Sequence, residues 1–101
     1  MMIANMKTSP RSQKLAGVIE PALGQVLQQL TNPETFGFLT IVDIQVSGDL
    51  SVVDVYVQSI GGSESYLKKL QKMTPKITRE LMKHVQVRRA FVLRFKSLCK
   101  S

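Results

Sequence analysis

The stretch FLTIVDIQVSGDLSVVDVYVQSI, residues 38–60, decides the fold. Phe38, Thr40, Val42, Ile44 and Val46 alternate with Leu39, Ile41, Asp43, Gln45 and Ser47, the period of two that marks a half-buried strand. Gly48-Asp49 supplies a hairpin turn, and a second strand runs from about Leu50 to Ile60. Its Val53, Val55 and Val57 share one face while Asp54, Tyr56 and Gln58 take the other. The expectation is an antiparallel hairpin with Phe38, Val42, Ile44, Val53, Val55 and Val57 turned to the core. Asp43, Gln45, Asp54, Tyr56 and Gln58 then lie on an open face.

Upstream, Leu15, Val18, Ile19, Ala22, Leu23, Val26, Leu27 and Leu30 recur at helical spacing, with Ser9-Pro10 as N-cap and N1. Pro21 predicts a kink, because it lacks the N–H that would bond to Gly17. Thr31-Asn32-Pro33 ends the helix. Downstream, Gly61-Gly62-Ser63 reads as a loop, with Gly62 or Ser63 as the next N-cap. Residues 64–86 read as two helical pieces, Leu67, Leu70 and Met73 lining the first and Ile77, Leu81 and Val85 the second. Between them Met73-Thr74-Pro75 predicts an interhelix kink, with Thr74 as the N-cap of the second piece. A last strand, Phe91 to Lys96, turns Phe91, Leu93 and Phe95 inward.

The order is helix, strand, strand, helix, kink, helix, strand. The third strand follows a helical crossover and is expected parallel to the second. Each strand has one apolar face, so the prediction is an α+β two-layer domain, a three-stranded mixed sheet with every helix on one side. At 101 residues the chain holds one core, with 1–11 expected as a flexible N-terminal segment, 12–96 as the domain and 97–101 as a tail.

Composition narrows function. The single cysteine, Cys99, permits no internal disulfide and suits a reducing compartment. No apolar run approaches the ~18 residues of a membrane span, and the start lacks a signal-peptide layout. A cytoplasmic protein with no membrane partner is expected. The one histidine, His84, has no neighbouring ligand and reads as a group near a helix C-terminus. No nucleophile elbow or phosphate-binding glycine loop occurs. The chain is therefore expected to be no enzyme and to need no metal or other cofactor.

Charge is the informative signal. The net charge is +7, but residues 31–60 hold four acids and no base, whereas residues 61–101 hold eleven bases and two acids. Lys68, Lys72, Lys76, Arg79 and Lys83 are spaced 4, 4, 3 and 4, with Lys69 beside them. At about 100° per residue they share a sector of roughly 80°, opposite Leu70, Ile77 and Leu81. An ordinary solvated helix face mixes signs in i,i+4 pairs, and here only Glu64 and Glu80 interrupt. Arg88, Arg89, Arg94, Lys96 and Lys100 add charge beyond the ridge. Such a ridge neutralises phosphates without reading bases. With four Phe, two Tyr and no Trp, a reader that stacks single strands is disfavoured against folded RNA recognised by shape. The alternative is a basic protein-interaction module docking an acidic partner. An architectural DNA binder fits less well, for want of a recognition helix with base-reading Asn, Gln or Arg.

Three segments resemble the ribosome-binding factor A family. They are Asn32-Pro33 with Gly37 and Thr40; Val46-Ser47-Gly48-Asp49-Leu50 with Val55-Tyr56-Val57; and Ile77-Thr78-Arg79-Glu80-Leu81 with Arg88-Arg89 and Leu93-Arg94-Phe95. The resemblance covers about residues 12–96 and implies a type II KH-like αββααβ fold. It also implies a monomeric, non-enzymatic assembly factor that binds the free 30S small ribosomal subunit near the 5′ end of its 16S rRNA. Late rRNA maturation and adaptation to cold are the processes implied. Where the family has an Ala-x-Gly kink this chain has Met73-Thr74-Pro75, and Phe91 stands where the family usually has proline.

Overall fold

The computed structural model describes residues 10–86 and 90–97. A long helix, α1 (Pro10–Leu30), leads through a single turn, α2 (Pro33–Phe36), into β1 (Phe38–Val46) and β2 (Val52–Ile60). Then come α3 (Tyr66–Lys72), α4 (Thr74–Met82) and β3 (Val92–Ser97). The sheet order is β1-β2-β3, with β1 antiparallel and β3 parallel to the central β2. The two-layer αββααβ architecture is as expected, with α2 as an addition. Asn32-Pro33 both ends one helix and starts another: the Asn32 Oδ1 accepts from the Thr35 N–H at 2.8 Å, and Pro33 fills the first turn.

The helical stripe is buried along Ile19, Leu23, Val26 and Leu27, whereas Val18 is exposed. α1 continues as helix through Pro21, whose side of the helix faces solvent. Its buried Ser12 hydroxyl donates to the Ser47 carbonyl at 3.1 Å, fastening the start of α1 to the hairpin turn.

The inward face of β1 differs from the alternation expected. Phe38 is 74% exposed and Val42 40% exposed, while Leu39, Ile41, Ile44 and Val46 pack on the core. A β-bulge causes the difference. Ile41 pairs with Val57 and Asp43 with Tyr56, so Val42 is the extra residue and parity reverses across it. Ile44, Val53, Val55 and Val57 do turn inward, as do Leu93 and Phe95. β2 starts at Val52 rather than near Leu50, because Leu50 takes a left-handed conformation (φ 64°) to close the turn.

The helical caps also differ. α3 starts at Tyr66, beyond the expected Gly62 or Ser63 cap, and Thr74 is the first residue of α4 rather than its cap. Met73 takes the cap position with φ −88° and ψ 0°, shallow but helical, so the chain continues turning instead of restarting at Thr74. Leu70, Ile77 and Leu81 are fully buried beneath the two helices. The Gln71 amide donates to the Phe95 carbonyl at 3.0 Å and holds α3 beside β3.

Candidate nucleic-acid interface

Leu70, Ile77 and Leu81 fix which way α3 and α4 turn, and the cations follow from that. Lys68, Lys69, Lys72, Lys76, Arg79 and Lys83 are all exposed on the side away from the core. They follow one another from α3 into α4 across the break at Met73. The Met73 N–H donates to Lys69 O at 3.2 Å and Leu70 O at 3.0 Å, and the Ile77 N–H donates to Met73 O at 2.9 Å. Helical hydrogen bonds thus run into and out of Met73, so the kink residues Met73, Thr74 and Pro75 interrupt the rod without unwinding it. Pro75 sits in the first turn of α4, where a missing N–H costs nothing.

Among the described residues, Lys83 alone in this set has a carboxylate partner, Glu80 Oε2 at 3.2 Å. Lys68, Lys69, Lys72, Lys76 and Arg79 have none within ion-pair distance among those residues. Five cations with uncompensated charge on adjoining turns make a strong local positive field. Arg88 and Arg89 lie outside the described residues, as do Cys99 and Lys100.

Arg94 and Lys96 do not extend the ridge. Strand alternation sends them to the open sheet face, where both reach Asp54. The Arg94 guanidinium, with help from the Lys96 charge, holds the Asp54 carboxyl below its usual range, and Asp54 raises Arg94 in turn. Lys96 Nζ also stands 5.9 Å from the Tyr56 ring centroid. The open face thus carries Asp43, Asp54 and Tyr56 as expected, with two further cations that Asp54 partly neutralises. His84 is exposed just past the C-terminus of α4. Among the described residues no group of three or more His, Cys, Asp or Glu comes together as a metal site, and no helix is long and apolar enough to cross a membrane.

The sequence model of ribosome-binding factor A matches residues 11–97, nearly the whole length of the chain. This chain belongs to the ribosome-binding factor A family. It is similar to the crystal structure of ribosome-binding factor A from Thermus thermophilus, with a TM-score of 0.76 and 28% identity over 85% of this chain and 94% of that one. It is also similar to the Thermus thermophilus factor as a homology model fitted into the cryo-EM map of a 30S–RbfA complex. There the TM-score is 0.72 and the identity 30%, over 82% of this chain and 90% of the other. A solution NMR structure of a Thermotoga maritima protein, a putative ribosome-binding factor A, matches with a TM-score of 0.68 and 27% identity, over 90% of each chain. In this member of the ribosome-binding factor A family, the break between the last two helices is carried by Met73-Thr74-Pro75.

Proposed function

We propose that this chain is an assembly factor of the small ribosomal subunit, binding the free 30S particle through phosphates of 16S rRNA and promoting late maturation near the 5′ end of that RNA. The observation that carries the proposal is the row of five exposed cations, Lys68, Lys69, Lys72, Lys76 and Arg79, without carboxylate partners among the described residues. Family membership supports it, and so does the 30S complex of the similar Thermus thermophilus protein. The ridge acts by position and charge: each phosphate contact releases counterions, and Leu70, Ile77 and Leu81, buried beneath, anchor the two helices that carry the cations. The factor acts as a single chain in the cytoplasm, without catalysis and without a cofactor.

Co-sedimentation tests this. The purified protein is expected to travel with purified small subunits and not with large subunits at moderate salt. Sedimentation with neither particle overturns the proposal. Capture of an acidic polypeptide in a pull-down that resists nuclease identifies the protein-docking alternative instead.

A further inference from the structure

The end of the open sheet face beside α2 bears two large apolar side chains. Phe38 and Ile60 are register partners across β1 and β2, and they are 74% and 63% exposed. Val42, pushed out by the bulge, is a third exposed apolar group on β1. A monomer gains nothing by presenting a cross-strand Phe–Ile pair to water, and such patches mark interaction sites. The surrounding charge selects the occupant. Residues 31–60, which build α2, β1 and β2, contain no lysine or arginine. Asp54 is paired with Arg94 and Lys96 on the β3 side, whereas Asp43 on β1 and Glu34 on α2, the turn that leads into Phe38, are exposed and have no cation within ion-pair distance among the described residues.

We infer that this patch docks a basic protein segment with an apolar anchor, a second contact separate from the phosphate-binding ridge. The anchor would pack on Phe38 and Ile60 while its lysines or arginines face Glu34 and Asp43. RNA is disfavoured as the occupant, because its phosphates would meet uncompensated carboxylates. A chain with a basic ridge on one side and an acidic, apolar edge on the other can span RNA and a basic protein at once. The inference rests on the small-subunit proposal, since that particle is where it is tested.

The experiment places a photoreactive benzoylphenylalanine at position 38 and, separately, at position 72, and irradiates each protein bound to purified small subunits. Position 38 is expected to cross-link to a lysine- and arginine-rich subunit protein, identified by mass spectrometry, and position 72 to rRNA. Cross-linking of position 38 to rRNA, to an acidic protein or to nothing, while the protein stays bound, overturns the inference. In parallel, the Phe38→Ser/Ile60→Thr double variant should melt like the wild type and bind small subunits about tenfold more weakly. Unchanged affinity of that variant overturns the inference alone. Failure of the wild-type protein to bind small subunits overturns the small-subunit proposal and this surface with it.

Discussion

Arg94 and Asp54 are register partners across the parallel β2–β3 pair, joined by two hydrogen bonds: Arg94 Nε donates to Asp54 Oδ1 at 2.7 Å and Nη2 to Oδ2 at 3.3 Å. The pair links the last strand to the hairpin, two segments forty residues apart in sequence. A second carboxylate closes the hairpin itself. Asp49 Oδ1 accepts from the Ser51 hydroxyl at 2.7 Å, the Ser47 hydroxyl at 2.8 Å and the Ser51 N–H at 3.1 Å.

These two carboxylates set an acid limb of stability. The Ser51 hydroxyl, then the Ser47 hydroxyl and the Ser51 N–H, lower Asp49 from 3.8 to about 2, and Arg94 and Lys96 lower Asp54. A depressed acid stabilises the fold fully above its unfolded value and loses that contribution as pH falls through its folded value. Stability should therefore decline from near pH 4 toward pH 2. The Asp49→Asn/Asp54→Asn double variant should be less stable at pH 7 and show a flatter decline. Urea unfolding across pH 2–7 checks this, and parallel curves for the two proteins would refute it.

Gly37 is expected to tolerate no side chain. Its φ of 65° and ψ of −155° lie where almost only glycine is found. A Cβ there would also collide with the Ile60 carbonyl and the Gly62 backbone. Gly37→Ala should cost at least about 1–3 kcal/mol in chemical denaturation. Gly48→Ala is the control, since that position opens onto free space, and its effect should be much smaller.

Most of the fold is legible in the sequence, and the exceptions share a cause. β2 declares its faces because Val53, Val55 and Val57 are apolar where Asp54, Tyr56 and Gln58 are not. β1 does not, since Phe38, Leu39, Ile41 and Val42 fill both parities, and the choice falls to pairing with β2. The bulge is therefore a tertiary outcome with no local signature. Deleting Val42 should leave Leu39, Ile41, Ile44 and Val46 facing inward on a regular ladder. That deletion is expected to keep the fold, whereas deleting Gln45 should throw Val46 to the open face and destabilise strongly. Melting curves of the two deletions decide the matter, and equal damage would count against the bulge.

The ridge is legible for a similar reason, since a 4, 4, 3, 4 spacing opposite three apolar residues can point only one way on a helix that buries them. What stayed hidden was the destination of Arg94 and Lys96. Their outward parity follows from Phe91, Leu93 and Phe95, but the encounter with Asp54 needs the parallel register. Ser12 was hidden too, because a serine in a helical first turn gives no sign that it will be buried against the Ser47 carbonyl.

Leu81 is fully buried in the last turn of α4. Leu81→Ala should cost about 2–5 kcal/mol, through lost transfer energy and the cavity left behind. A change within error in urea unfolding would remove Leu81 from the core, and with it the argument that fixes the direction of the ridge.

The ridge itself is tested by charge removal at constant count. Lys72, Lys76 and Arg79 flank the Met73 break and are exposed, so replacing all three with glutamine should hardly disturb folding, glutamine being a comparable helix former. If each contacts a phosphate, affinity for small subunits should fall and the slope of log K against log salt should flatten by about 2–3, each lost contact being worth roughly 0.7–0.9. Replacing Lys7, Lys14 and Lys100 removes the same formal charge elsewhere and should move the slope far less. Equal flattening by both triples, with folding intact, would mean that net positivity rather than a located site governs binding. Pro75→Ala adds a geometric control, because it leaves charge unchanged while freeing the first turn of α4. Met73 itself has helical dihedrals and Pro75 sits where no N–H is required, so the alanine variant should preserve the break and bind nearly as well as the wild type. A large loss of affinity with unchanged stability would instead locate part of the phosphate contact at the helix break itself.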